Sequence, residues 1–196
     1  MAIPFNVDRF KAELTNGGAR PNQFAVQLTF PNYVVSRAAA VNKAPFLVTA
    51  SELPGQTIGV TPVYYRGRLI KMAGDREFAP FTCTVLNDSA FTIRTALEQW
   101  INGIENIRNK TGVLEPSRYQ TDMFISQLDR NGAVLKQYKL LGVFPTDIGA
   151  IPLDFGTNDQ LSSFSASFQY QSFEFTNTPA GQLINAITSL GSTVGT

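Results

Sequence analysis

From Asn22 the chain alternates strictly, with Phe24, Val26, Leu28 and Phe30 on one side and Gln23, Gln27 and Thr29 among the positions opposite. A period of two predicts a half-buried strand, and Pro31-Asn32 ends it. The Ala-rich stretch up to Pro45 has no clear period and predicts a long loop or insertion, followed by a strand from about Phe46 to Ser51. Leu53-Pro54-Gly55 breaks that strand. A third alternating region covers about Tyr64 to Met72, a turn is expected at Ala73-Gly74-Asp75, and a fourth strand runs from about Phe78 to Leu86 with Phe81, Cys83 and Val85 facing inward. The period then changes. After Asn87-Asp88-Ser89, Ala90, Ile93, Leu97, Trp100, Ile101 and Ile104 recur every three or four residues, which predicts one long amphipathic helix packed on a sheet.

The second half returns to strands, about Asp122 to Leu128 and Val134 to Val143, joined by Asp129-Arg130-Asn131-Gly132, whose Asn-Gly pair marks a hairpin. Pro145 is expected to close the second of these. The longest alternation follows Gly156-Thr157-Asn158-Asp159: Phe164, Ala166, Phe168 and Tyr170 point one way, and Ser163, Ser165, Ser167, Gln169 and Gln171 the other. Parity slips at Ser172, as a bulge would make it, before Phe173 and Phe175. At the start, Asn6 or Asp8 can cap a short helix through Phe10 and Leu14, ended by Asn16-Gly17-Gly18; beyond Pro179 a small amphipathic segment (Leu183, Ile184, Ile187, Leu190) is expected. The pattern predicts an α+β fold, mainly antiparallel β, with a small barrel-like or sandwich-like sheet and one packed helix. Its expected core contains Phe24, Val26, Leu28, Phe81, Cys83, Val85, Ile93, Leu97, Trp100, Phe164 and Phe168.

Length, at 196 residues, suits a single domain. Only 16% of residues are charged, fewer than the roughly 25% usual in soluble domains, while Asn, Gln, Ser and Thr are abundant. Such an exterior fits a protein that buries much of its surface against other proteins. The net charge of +1 gives no general grip on nucleic acid, but the charges are segregated: residues 140–196 contain no Lys or Arg and four acids, Asp147, Asp154, Asp159 and Glu174. Faces of unlike sign could then meet between copies of the chain.

Candidate chemistry is sparse. There is no histidine, which excludes histidine triads and histidine metal sites, and the single cysteine, Cys83, excludes an internal disulfide and a thiolate zinc cluster. No apolar run is long enough to span a bilayer and no signal sequence is visible at the N-terminus, so neither membrane embedding nor standard secretion is expected. No cofactor is implied, since the glycine-rich phosphate-loop patterns are missing. The carboxylate pairs Asp75 with Glu77 and Asp154 with Asp159 fit turn chemistry better than catalysis. Tyr64, Tyr65, Arg66, Arg68 and Lys71 mix aromatic and basic groups, which suits a protein contact surface, with single-stranded nucleic acid as the alternative. The five neutral positions from Ser163 to Gln171 lack the Lys or Glu expected on an exposed strand. Such a strip could be a wall that meets water and passing polymer without gripping it.

The run LPGQTIGVTPVYYRGRLIKMAGDREFAPFTCTVLND (53–88) and the following SAFTIRTALEQWINGIEN (89–106) resemble the tail tube proteins of T-even-like contractile-tailed phages. RPNQFAVQL (20–28) resembles that family's first strand, and LLGVFPTDIGAIPLDFGTNDQLSSFSASFQY (140–170) its second-half pattern. The resemblance covers about residues 19–175, in the family's order. Two parts depart from it: the segment Asn32 to Phe46 is longer than in the shortest members, and Thr176 to Thr196 runs past the usual end. A single tail tube domain is therefore expected, with a helical arm over 1–19, a core over 20–175 and an extension over 176–196.

That resemblance implies a non-enzymatic subunit whose sheet joins its neighbours' sheets in a six-membered ring, completing a large β-barrel. Rings would stack into the inner tube of the virion tail, assembled from protein made in the host cytoplasm. Implied partners are the chain itself, the tail sheath protein, the baseplate or tube initiator and the tail terminator. Genomic DNA would pass down the lumen without sequence-specific binding. A tube initiator or terminator of the same fold, or the inner tube of a contractile injection system, is the alternative. Placed on that frame, Ser163, Ser165, Ser167, Gln169 and Gln171 are expected to line the lumen. Tyr64, Tyr65, Arg66, Arg68, Lys71, Asp75 and Arg76 are expected at contacts between subunits or rings, the basic Pro62 to Phe78 region meeting an acid-rich surface from the C-terminal half.

Overall fold

The computed structural model describes residues 6–14 and 18–176. In chain order its elements are α1 (Val7–Glu13), β1 (Phe24–Gln27), α2 (Arg37–Leu47), β2 (Val48–Ser51), β3 (Gln56–Tyr65), β4 (Arg68–Phe78), β5 (Phe81–Leu86), α3 (Thr92–Ile104), α4 (Pro116–Tyr119), β6 (Thr121–Leu128), β7 (Val134–Ile148), β8 (Ser163–Gln169) and β9 (Ser172–Thr176). Seven strands form one sheet in the order β1-β6-β7-β8-β5-β2, with β9 also on β7, while β3 and β4 pair only with each other. Every pairing with a defined register is antiparallel, so the fold is α+β. Among the described residues the sheet is open; the small closed barrel entertained from the sequence does not form within one chain.

Contacts divide the chain into two units. The smaller comprises residues up to Phe24 together with Ser126–Gln137. Within it the Asn6 side chain caps α1 by accepting the Asp8 N–H at 3.1 Å, and α1 buries none of its side chains. Gly18 holds φ +73°, while Asn16 and Gly17 of the expected stop signal lie outside the described residues, as does the amphipathic segment expected beyond Pro179. The hairpin turn at 129–132 forms where Asn-Gly placed it: Gly132 takes φ +79° and Asp129 Oδ1 accepts the N–H groups of Asn131 and Ala133 at 2.6 and 3.1 Å.

The larger unit holds the core. Val26, Leu28, Phe81, Cys83, Val85, Ile93, Leu97, Trp100, Phe164 and Phe168 are all buried, whereas Phe24 is half-buried. Trp100 sits at the centre, edge-on to Phe30 at 5.6 Å and 6.4 Å from the Phe168 ring, its indole N–H donating to the Tyr119 carbonyl at 2.8 Å. Burial pushes the Cys83 thiol up to about 12, which leaves it an unreactive apolar filler.

Several elements differ from the sequence expectation. The first strand is shorter than its alternation, ending at Gln27 although Leu28 and Phe30 remain buried. The predicted loop before Pro45 is α2: alanines favour a helix, Ala40 and Ala44 bury one narrow face, and Pro45 sits in the last turn. That helix passes directly into β2, so the strand begins at Val48 rather than Phe46. The expected turn at Ala73-Gly74-Asp75 is instead part of β4. A side chain at Gly74 would press to 3.2 Å on the Gly59 backbone, where the β3–β4 register shifts, so glycine there allows a bulge. Pro145 does not close β7. It lies opposite Phe168 beside a register shift, which is where a strand tolerates a residue without an N–H. The parity slip at Ser172 is a break at Tyr170-Gln171, across which the chain stays on β7 through Gln171 N–H to Leu141 C=O at 2.9 Å.

Helix α3 starts at Thr92, later than expected, and its N-cap position, Phe91, is left-handed without a side-chain cap. Asp88 replaces the cap from three residues earlier, accepting the Thr92 N–H at 2.7 Å and hydroxyl at 2.6 Å and pairing with Lys43 of α2 at 2.5 Å. The Lys43 hydrogen bond, then those of Thr92, holds the Asp88 carboxyl well below its usual range. Asp88→Ala is expected to cost about 1–2 kcal/mol, the worth of a cap. A carboxyl with a depressed pKa stabilises above its unfolded value near 3.8. The advantage of wild type over the variant should therefore be full at neutral pH and shrink as pH falls below about 4. Urea unfolding of both proteins at pH 7 and pH 3 checks it.

Candidate functional site

Two surfaces in the larger unit stand out. The first is the face of the sheet turned away from the core. Along β8, Phe164, Ala166 and Phe168 are buried while Ser163 and Ser165 are exposed and Ser167 and Gln169 half-exposed; Gln171 is exposed in the break that follows. Register extends this face sideways. Ser167 stands opposite Thr82 on β5 and Asp147 on β7, and Ser165 opposite Thr84, which in turn faces Ala50 on β2. Thr82 and Ser167 join by a 3.2 Å hydroxyl contact. The result is a band across β7, β8, β5 and β2 that carries hydroxyls and amides and, within these paired rows, a single charge, Asp147. Thr82 and Thr84 were missed from the sequence, although their parity was set once Phe81, Cys83 and Val85 were assigned inward. Of the apolar residues behind the band, Phe168 packs on Trp100 and Phe164 lies 5.2 Å under the Arg94 guanidinium, whereas Tyr170 packs on Phe78 and Phe173.

The second surface is the β3–β4 ribbon. It continues the β2–β5 pairing: Ser51 faces Cys83, the Ala79 N–H donates to the Gly55 carbonyl, and Gln56 faces Phe78. One long two-stranded ribbon therefore starts in the sheet and leaves it. Phe78 anchors its base, with ring centroids 5.7 Å from Tyr170 and 5.5 Å from Phe173. Its tip closes at Arg66-Gly67, both with positive φ (47° and 78°), the signature of a tight type I′ turn. All of β3 and nearly all of β4 are exposed. Tyr65, Val63 and Met72 lie on one face and Tyr64, Leu69 and Val60 on the other, Tyr64 being 76% exposed. Two strands with apolar side chains exposed on both sides are at best marginally stable in water by themselves. Tyr64, Tyr65, Arg66, Arg68, Lys71, Asp75 and Arg76 are thus brought together on one ribbon, and the Arg66 guanidinium sits 5.6 Å from the Tyr65 ring.

Asp75 and Glu77 lie on this exposed ribbon. In the loop between β7 and β8, Asp154 spends its carboxylate on the Gly156 N–H at 2.9 Å and Asp159 takes a left-handed turn conformation. Turn geometry accounts for the second pair, whereas Asp75 and Glu77 stand within strand β4 rather than in the turn expected there. Among the described residues no cluster of three His, Cys, Asp or Glu could hold a metal ion, and no helix is long and apolar enough to cross a membrane.

Residues 19–176 match the phage tail tube protein family. The chain is 27% identical over 157 residues to tail tube protein gp19 of Enterobacteria phage T4, covering 80% of this chain and 91% of that protein. It is 28% identical over 169 residues to the tail tube protein of Serratia phage KSP90, with 84% and 93% covered. Similar folds occur in the sheath-tube complex of an extracellular contractile injection system (TM-score 0.56, 16% identity, covering 88% of this chain and 99% of that one). The tube-terminating cap of the anti-feeding prophage is also similar (TM-score 0.57, 17% identity, 91% and 95% covered).

Proposed function

Because the chain belongs to the phage tail tube protein family, we propose that it acts as one tail tube domain, a structural rather than catalytic subunit that closes with copies of itself into a ring around a pore. The observation that carries this reading is the polar band across four strands of an open sheet, whose paired rows hold one charge, Asp147. Strand β2 ends the sheet and has no strand on its outer side among the described residues. A head-to-tail contact that closes after one rotation would satisfy such borders, as closure does in a barrel. Four strands from each of six copies would exceed the roughly 16–18 strands at which porin barrels already hold a water channel. The band then faces the bore: Ser163, Ser165, Ser167, Gln169 and Gln171 offer hydrogen bonds to water without holding a passing polyanion, so genomic DNA slides through without sequence-specific contacts. Helix α3, on the opposite side of the sheet, faces outward, toward the sheath.

Rings stack through the β3–β4 ribbon into the inner tube of a virion tail, between an initiator at the baseplate and a terminator at the other end, from subunits made in the host cytoplasm. Electron microscopy of the purified protein at high concentration tests the reading. Hollow rings and tubes forming without a nucleus are expected; rings that add only to a preformed tube would identify an initiator or terminator instead, and isolated particles at every concentration would refute assembly altogether.

A further inference from the structure

Helix α1 keeps an apolar stripe in solvent. Val7, Phe10 and Leu14 recur at three- and four-residue intervals, Val7 and Phe10 being 66% and 65% exposed, and Asp8, Arg9, Lys11 and Glu13 stand between them. The helix has only seven residues and buries none of them. So short a helix is marginal in water by itself and gains its stability from packing an amphipathic face. The stripe therefore calls for a cover. The arm that carries it is fastened at the 129–132 hairpin: the Gln127 side-chain amide donates to the Arg20 and Gln23 carbonyls at 2.6 and 2.9 Å, and the Leu128 N–H donates to the Gln23 carbonyl at 2.9 Å. Gly18, Ala19 and Arg20 border, with Leu128 and Leu135, a depression of about 410 Å³.

The other end of the chain supplies a matching surface. The Gln171 N–H donates to the Leu141 carbonyl and the Phe175 ring lies 6.5 Å from that of Tyr138, so β9 follows β7 back toward Val134, the residue at which β7 leaves the hairpin. From Thr176 the chain continues to Thr196, outside the described residues. Residues 177–196 carry no charged side chain. At a helical period Leu183, Ile184, Ile187 and Leu190 share one face, and Gln182, Asn185, Thr188 and Ser189 the other. Residues 177–182 reach about 20 Å when extended, ample for the segment to turn back. An uncharged segment can lie on the stripe without stranding an ion. Its tether at Thr176 gives it an effective concentration in about the millimolar range, which favours it over a second copy. Both α1 and this segment fall outside residues 19–176, the part shared with the family.

We propose that the apolar face of Leu183 to Leu190 docks on the Val7, Phe10 and Leu14 stripe of α1 in the same chain, joining the two chain ends into a clasp. The clasp forms within one subunit and stands independently of the tube reading. Hydrogen exchange of the full-length chain, at dilutions where copies stay apart, tests it. In wild type the amides of residues 10–14 and 184–190 should exchange about tenfold or more slower than those of a free chain. Phe10→Asp on α1 and Ile187→Asp on the extension should each release both segments at once. Strand β5 should keep its protection in both variants, because neither position belongs to the core. Asn185→Asp places the same charge on the segment's polar face and should leave both segments protected. Free-chain exchange of 184–190 in wild type, or an Ile187→Asp variant that leaves 10–14 protected, would overturn the clasp. Protection of 10–14 that grows with protein concentration would overturn it too, by assigning the stripe to a second copy.

Discussion

Trp100→Ala is expected to destabilise the unassembled subunit by about 3–5 kcal/mol, the cost of emptying a large aromatic site in a packed core. The indole is fully buried, and its removal takes away the edge contact to Phe30 and the ring contact to Phe168 together. It also leaves the Tyr119 carbonyl without its donor and so releases α4 from α3, where an unpaired buried acceptor adds a further penalty. Trp100→Phe should retain much of the ring packing and lose the hydrogen bond, placing it between wild type and the alanine variant. With native stabilities of about 5–15 kcal/mol, the alanine variant would be close to unfolding. Chemical denaturation should be followed at dilutions where copies do not associate, because binding to partners adds to apparent stability. A loss below about 1 kcal/mol would mean that α3 is not packed on the sheet as described.

What the sequence made legible follows the contrast between polar and apolar side chains. Helix α3 was visible because large apolar residues alternate with Arg94, Glu98 and Glu105. The β8 alternation was visible because aromatic residues alternate with serines. Helix α2 was invisible for the opposite reason: Ala40 and Ala44 bury a face too small to stand out against neighbouring alanines, and Pro45 argued for a break. The ribbon was displaced because both its faces are apolar, so no single face could show a period, and its turn is Arg66-Gly67 rather than Asn-Gly. Gly74 looked like a turn because a bulge and a turn ask for the same residue. Thr82 and Thr84 were assigned to nothing, although their neighbours' parity implied them. Loop 149–162, between β7 and β8, has no period at all.

The pore claim rests on which side of the sheet meets the bore, and cysteine labelling of assembled tubes reads that directly. Native Cys83 is buried and its thiol is pushed up to about 12, so an introduced cysteine reacts alone. Ser165→Cys and Ser167→Cys lie on the polar band, while Glu98→Cys lies on the exposed side of α3. A small maleimide should label all three in tubes; one carried on a polymer too wide for the bore should label Glu98→Cys alone. Equal labelling of Ser165→Cys and Glu98→Cys by the bulky reagent would place the serine band on the outside of the assembly and contradict the account.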